Sequence, residues 1–241
     1  MIERLRNARR VTVLTGAGIS AESGVPTFRD ALTGLWAQYR AEELATPEAF
    51  ARNPALVWDW YRMRRELVAR VQPNAGHRAL VAMEREVPDF VLITQNVDGL
   101  HQRAGSTTPI ELHGNIGRAR CSREHTVVER WDESADSPPR CRSCGGFLRP
   151  DVVWFGEILP PEALRAAELA ACNCDLLLSV GTSNLVEPAA SLPWKAAAVG
   201  AEVAVVNVSM EGQRLGPGIH HLIGPAGQLL PALVSAAWPG A

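Results

Sequence analysis

Four strings in this chain place polar or flexible residues where apolar runs end, and each pattern suits a nucleotide-like ligand. The first is Gly16-Ala17-Gly18-Ile19-Ser20-Ala21, entered from Val11-Thr-Val-Leu-Thr15. Closely spaced glycines let a backbone approach a phosphate, because no Cβ stands in the way and a following helix offers its N–H groups. Ala21 occupies the place of the third glycine in a G-x-G-x-x-G pattern, and Pro26, Thr27, Phe28 and Arg29 extend the loop beyond an ordinary dehydrogenase turn. The second string, Gln95-Asn96-Val97-Asp98, follows the apolar run 90–94. An amide can serve ribose hydroxyls or a water as donor and acceptor, and a carboxylate accepts from an N–H. Asn-Val-Asp-Gly is also a good turn, so position alone leaves both readings open. The third is His113, just past Ile110-Glu-Leu112. Its ordinary pKa, near neutrality, suits it to take a proton from a hydroxyl. The fourth, Gly181-Thr182-Ser183, could hold phosphate or ribose oxygens without adding charge. His77, His101, His125, His220 and His221 read first as core or surface residues.

A different chemistry is written into the helical stretch 57–68. Tyr61 and Arg64 stand three residues apart and share a face. A fixed guanidinium beside a phenol hydroxyl is a receptor for a carboxylate inside an apolar pocket. The competing reading is a packed tyrosine beside a surface arginine.

The elements that must position these groups alternate between short β-branched runs and helical stretches. That pattern predicts an α/β fold, a Rossmann-like doubly wound parallel sheet. Strands are expected at 11–15, 90–94, 110–112, 176–180 and 203–207, nearly all apolar, as strands covered on both faces are. Helices are expected at 75–86, 161–172 and 228–237. Two stretches break the alternation: 30–73 is mostly helical, and 116–150 is short of long apolar runs but contains Cys, Pro and Ser. The expected division is therefore 1–29, 74–115 and 151–241 for the sheet domain. Residues 30–73 and 116–150 would build a small second module. Within 151–157, Val153-Trp-Phe155-Gly156-Glu157 reads as a short strand with a glycine and an acid.

Bulk properties narrow the class. At 241 residues, 46% hydrophobic and 21% charged, the chain resembles ordinary globular proteins. Its net charge of −2 gives no footprint for nucleic acid. No apolar run is long enough to span a bilayer, and the first ten residues lack the apolar core of a secretory leader. Five cysteines in a nucleotide-binding pattern point to a reducing, cytoplasmic setting. Cys172 and Cys174 read as small buried hydrophobes.

The string from Gly16 to Asp30 resembles the glycine-rich motif of the sirtuins, NAD-dependent protein lysine deacylases. Thr94-Gln-Asn-Val-Asp-Gly-Leu-His101, His113-Gly114-Asn115, the segment 153–157, Gly181-Thr-Ser183 and Asn207 follow in the family's order, so the resemblance covers nearly the whole chain. It implies NAD as co-substrate and acylated-lysine proteins or peptides as partners, with neither nucleic acid nor membrane involved. Catalytic roles fall to His113, as base, and Asn96. NAD contacts fall to Gly16, Ala17, Gly18, Ser20, Ala21, Phe28 and Arg29, then to Gln95, Asn96, Val97 and Asp98. Gly181, Thr182, Ser183, Asn207 and Ala226 would hold the ribose and adenine half. Val153, Phe155, Gly156 and Glu157 would receive the substrate peptide as an added strand. Tyr61 and Arg64 are similar to the Tyr-x-x-Arg of sirtuins that remove succinyl, malonyl and glutaryl groups, and Ala45 and Ala49 are small enough for a wide acyl channel.

The cysteines depart from the family pattern of two C-x-x-C pairs around zinc. Cys141 and Cys144 keep one pair, whereas Cys121 stands alone with Glu124 in its partner's place. His125 is expected to complete a zinc site with Cys121, Cys141 and Cys144, Glu124 being the other choice; alternatively the module folds without metal. Rival functions in the same cleft are protein mono-ADP-ribosylation and non-catalytic NAD sensing.

Overall fold

The computed structural model describes residues 1–26, 40–133, 136–209 and 218–240. Phe28 and Arg29 lie outside them, and residues 41 and 42 are described by backbone alone. Among the described residues six parallel strands form one sheet: β1 (Arg10–Thr15), β2 (Asp89–Thr94), β3 (Ile110–Glu111), β7 (Leu176–Val180), β8 (Glu202–Asn207) and β9 (Ile219–Ile223). Their order is β3-β2-β1-β7-β8-β9. The chain runs outward to one edge and then returns past β1 to build the other half. The carboxyl ends of β1, β2, β7 and β8 therefore meet around the point where the order reverses, where open α/β sheets bind ligands.

Strand alternation sends side chains to two cores. Val11, Val13, Leu176, Leu178, Val180, Ala204 and Val206 pack against α1 (Ile2–Asn7), α6 (Ala75–Glu86) and α10 (Ala226–Ala237). Leu14, Leu177 and Val203 face α8 (Pro161–Asn173) and α9 (Leu192–Ala198) on the other side. Both faces are thus covered, which explains the nearly unbroken apolar strands. Asn74 starts α6 with a reciprocal cap: its side chain accepts from Gly76 and His77, while His77 Nδ1 accepts from the Asn74 N–H.

A second, antiparallel sheet stands beside the first, with order β5-β4-β6. It comprises β4 (Gly114–Cys121), β5 (Val127–Val128) and β6 (Leu148–Val152). The helices α3 (Ala41–Leu44), α4 (Pro47–Arg52) and α5 (Pro54–Arg70) accompany it. Thr46 and Asn53 cap α4 and α5, each followed by proline at the first helical position, where its missing N–H costs nothing. The long strand β4 begins one residue after His113, so the strand linking the two sheets also carries the histidine's loop.

One expected strand is absent. β6 ends at Val152, and residues 154–157 make a turn instead of continuing. Gly156 has φ +86°, and Glu157 reaches back to accept from the Trp154 N–H at 2.8 Å. The same carboxylate is gripped at both oxygens by Arg149. A carboxylate satisfied inside its own turn holds the chain in a bend and prevents extension.

Candidate active site

The glycines of the first loop have a reason that the sequence did not reveal. Gly18 N–H donates to the Gly181 carbonyl at 2.7 Å, and Gly16 N–H to Val180 at 3.0 Å. A Cβ on Gly16 would lie 2.8 Å from the Thr182 backbone, and one on Gly18 would lie 2.7 Å from Gly181 Cα. The loops after β1 and β7 therefore touch backbone to backbone. Gly181 itself sits at φ +61°. Ala17 precedes the short helix α2 (Gly18–Ala21), and its carbonyl accepts from the Ser20 N–H. Ala21 is exposed. Glu22, next along, accepts from the Gly227 N–H at 2.6 Å and so caps α10 beside Ala226.

Around this contact the polar groups form one connected set. Ser20, almost fully buried, donates to Asp98 Oδ2 at 2.7 Å, and the Leu100 N–H donates to Asp98 Oδ1. Asn96 Nδ2 donates to Ser20 Oγ and to the Gly16 carbonyl, both at 3.1 Å. His77 Nδ1 accepts from Asn74, so its Nε2 carries the proton and lies 3.5 Å from Ser20 Oγ. Burial raises the Asp98 pKa, and the bonds from Leu100 and Ser20 and the charge of Arg64 only partly offset it. Further out, Gln95 Nε2 donates to Thr182 Oγ1 at 3.0 Å, and Asn207 Nδ2 to the Thr182 carbonyl at 3.0 Å. Ser183 follows, half-buried in the same loop.

His113 lies across the crevice. Its Nδ1 is 2.9 Å from the Gln95 carbonyl, which can only accept, so Nδ1 bears the proton and Nε2 the lone pair. Burial lowers its pKa below the ordinary value, and the bond to Gln95 opposes that only in part. At neutral pH this is an imidazole with its basic nitrogen unprotonated, as a general base requires. The Val153 N–H donates to the His113 carbonyl, joining the histidine's loop to the end of β6.

Between the sheets an apolar cluster surrounds Tyr61. Ala45, Ala49, Phe50, Trp60, Ile116, Val152 and Trp154 pack there, with Val97 at its margin. The Val97 carbonyl accepts from the Ile116 N–H. Tyr61 Oη accepts from Trp154 Nε1 at 3.1 Å, leaving the phenol proton as the donor it can offer. Burial pushes the Tyr61 pKa up to about 12, so the phenol stays protonated. Arg64 lies over the Trp60 ring at 5.1 Å. Burial lowers the Arg64 pKa, and the nearby Tyr61 hydroxyl and Asp98 carboxylate counter it. Phe155, Ile158, Leu185 and Val186 leave apolar side chains exposed.

The cysteine cluster is assembled, with a change of membership. Ligand atoms of Cys121, Glu124, Cys141 and Cys144 all lie within 4.8 Å of one another. His125 is not among them: it sits exposed at φ 57°, its N–H closing a turn on the Cys121 carbonyl. Geometry thus replaces His125 with Glu124, whose carboxylate also accepts from Ser143 Oγ at 3.4 Å. The N–H groups of Arg123 and Glu124 point at Cys121 Sγ, and that of Gly146 at Cys144 Sγ, each at 3.4 Å. Backbone donors aimed at sulfur stabilise thiolates, and three thiolates with a carboxylate form a tetrahedral set that fits zinc.

Comparison with known proteins identifies the family. The model of the Sir2 family matches residues 16–188, well over half of the chain. The chain belongs to the Sir2 family. A curated relative, NAD-dependent protein deacylase 1 of Pseudomonas aeruginosa, is 52% identical over 248 residues, covering 100% of this chain and 99% of its own. A solved Sir2 homolog–NAD complex superposes with TM-score 0.91 at 42% identity, covering 98% of this chain and 92% of its own. A Sir2 bound to acetylated peptide superposes with TM-score 0.84 at 28% identity, covering 97% and 95%.

As a Sir2 protein the chain is an enzyme that uses NAD, and the residues present fit that ligand. Ser20, Asn96, Asp98 and Gln95 line one end of the crevice at the ends of β1 and β2. Thr182 and Asn207 line the other, after β7 and β8. Four residues that the structure ties to the crevice and the pocket were given no role from the sequence. His77 and His101, read as core or surface residues, are buried, with ring centroids 4.9 Å apart and His101 Nε2 bonding Thr15 at 2.9 Å. Trp154 holds Tyr61, and Glu22 caps α10. The capping pattern Asn74-x-x-His77 was a local signal for His77, and the other three lie within motif strings whose spacing does not single them out.

Proposed function

We propose that this chain removes acyl groups from protein lysines with consumption of NAD, and that succinyl and malonyl groups are preferred over acetyl. The observation that carries the preference is the buried Tyr61 hydroxyl in an apolar cluster whose walls at Ala45 and Ala49 are small, with Arg64 one turn along the same helix and electrostatically coupled to it. Such a pocket rewards a ligand with an apolar stem and a terminal carboxylate.

Bound NAD supplies a ribose whose anomeric carbon becomes electrophilic as nicotinamide leaves. The chain's residues do the rest. Asp98, fixed at both oxygens by Ser20 and Leu100, accepts from a carboxamide N–H. Asn96, tied to Ser20 and Gly16, is placed to order a water or a ribose hydroxyl. His113 takes a proton at Nε2 from a ribose hydroxyl while Gln95 holds the ring by Nδ1. With one water consumed to release the lysine, the products are nicotinamide, acyl-ADP-ribose and free lysine. The substrate peptide lies between the exposed walls at 155–158 and 185–186. Backbone pairing there would bind it with little sequence preference. Cys121, Glu124, Cys141 and Cys144 would hold zinc in a structural role, away from the reacting atoms.

The test compares kcat/KM on acetyl-, malonyl- and succinyl-lysine versions of one peptide, in the native chain and in Arg64→Met. Truncating one member of a buried charge pair costs about 2–5 kcal/mol, roughly 30-fold or more in efficiency on succinyl-lysine. Acetyl-lysine has no terminal carboxylate and should lose little. Equal losses on the two acyl groups would make Arg64 structural and remove the preference.

A further inference from the structure

The helix α5 presents Tyr61 and Arg64 to the acyl pocket, and on another face a carboxylate from outside the helix gathers two of its side chains. Glu133, in the loop after β5, collects three donors: Trp131 Nε1 at 2.8 Å, Arg65 Nη2 at 2.7 Å and Trp58 Nε1 at 3.2 Å. Burial works against its ionisation, and the donors of Trp131 and Arg65 overcome it, leaving the pKa lowered. The Arg65 guanidinium also lies over the ring of Trp58 at 4.5 Å and that of Trp131 at 5.4 Å. The two indoles meet edge to face at 5.8 Å. Trp58 is fully buried and packs with Cys121, Cys141 and Leu148 of the small sheet.

Trp58 and Arg65 are seven residues apart, about two turns, and so lie on one stripe of α5. Tyr61 and Arg64 fall between them along the axis, rotated toward the pocket. At the far end Arg103 of α7 (Leu100–Ala104) donates to the carbonyls of Val68 and Val71, at 2.8 and 2.5 Å, which fixes the helix along its axis. Tyr61 has its own anchor in Trp154. Arg64 lies over the ring of Trp60 on the same helix, so where its guanidinium stands in the pocket follows how α5 is turned. We propose that Glu133 is a positioning residue for acyl recognition: by gathering Arg65, Trp58 and Trp131 it sets the rotation of α5 and so the place of Arg64. This rests on the reading of Tyr61 and Arg64 as a carboxylate receptor. The Arg65 side chain is only 12% exposed, so removing Glu133 leaves a nearly buried charge uncompensated beside Arg64. The helix then turns to hydrate it.

The experiment measures succinyl and acetyl kcat/KM for Glu133→Gln, Arg64→Met and the double variant, each shown folded by near-ultraviolet circular dichroism. Glutamine keeps the size but turns an NH2 toward converging donors. Misplacement of a binding group by about 1 Å costs up to 10²-fold, so the succinyl-to-acetyl ratio should fall about tenfold in Glu133→Gln, through KM for the succinyl peptide. Acetyl kinetics and KM for NAD should stay within about twofold. In the Arg64→Met background Glu133→Gln should not lower the ratio further. An independent, additive fall there would overturn the proposal, as would equal losses on both acyl groups. A ratio lowered by Arg64→Met but untouched by Glu133→Gln overturns the positioning role and leaves the receptor reading standing. A ratio that Arg64→Met leaves unchanged removes that reading, and with it the role of Glu133. If Glu133→Gln does not fold, Trp131→Phe keeps an aromatic ring but deletes the indole N–H that Glu133 accepts; it should move the ratio the same way, and no movement would overturn the proposal.

Discussion

At the scale of the residue, the tautomer of His113 decides its chemistry. The Gln95 carbonyl takes the Nδ1 proton, so the free lone pair is at Nε2, and burial holds the pKa below 6.5. The unprotonated base therefore persists to lower pH than it would in an exposed histidine. kcat/KM should fall on the acid side with an apparent pKa below 6.5; an acid limb centred above that value would show a different controlling group. His113→Ala should lower deacylation by about 10²–10⁴-fold, the range for a general base. A loss under about tenfold in a folded variant would remove His113 from that role. Tyr61→Phe keeps the ring but surrenders the bond from Trp154 as well as the donor to a carboxylate. Its succinyl penalty should be about 1–3 kcal/mol, smaller than that of Arg64→Met, as steady-state kinetics on the two acyl peptides would show.

At the scale of the element, turns place the ligands and the walls. The turn from Cys121 to His125 brings Glu124 to the sulfurs and leaves His125 at the surface. Purified protein should contain about one zinc per chain by elemental analysis. Glu124→Ala should lose zinc to a competing chelator faster than the native chain, whereas His125→Ala should not. The opposite ranking would restore histidine as the fourth ligand. Strong chelation should lower the melting temperature, because the cluster packs directly with Trp58 and Leu148. The turn at 154–157 works without metal: Arg149 and Glu157 close it, and Arg149 lies over the Trp154 ring. This presents Phe155 outward and the Trp154 indole N–H inward.

At the scale of the whole molecule, the crevice rests on two buried, neutral histidines. Burial lowers His77 to about 4, helped by the charge of Arg78, and His101 to about 3, helped by His77. Unfolded histidines titrate near 6.5, so between that value and the folded ones the unfolded chain binds more protons. Stability contributed by this pair is therefore present above about pH 6.5 and lost as pH falls toward 4 and 3. Each should give a slope of about 1.4 kcal/mol per pH unit. Asp98, raised by the same burial, has the opposite sign and offsets part of the loss at the acid end. Thermal unfolding followed from pH 7 to 4.5 should show the decline, and His101→Gln should flatten it. An unchanged slope in that variant would show that other groups dominate acid unfolding.

The sequence alone determined the sheet and the order of the site. Buried parallel strands need apolar runs, helices need caps and a 3.6-residue period, and both are local; α6 and β7 lie where the pattern placed them. Residues at strand ends, such as Asn96, Asp98 and His113, could be placed in one crevice because parallel strands share a polarity. Tertiary structure decided whatever depends on two segments meeting. Gly16 and Gly18 are required by the backbone at Gly181, which is 163 residues or more away along the chain. Glu124 displaces His125 because a turn, and not ligand chemistry, chooses which side chain reaches the sulfurs. The segment 153–157 bends where a strand was expected because Arg149, on the preceding strand, captures Glu157. His77 and His101 acquire a role only when two helices bring their rings together under the loop. None of these contacts has a period or a composition that a single strand of sequence displays, because each free energy belongs to a pair of distant groups.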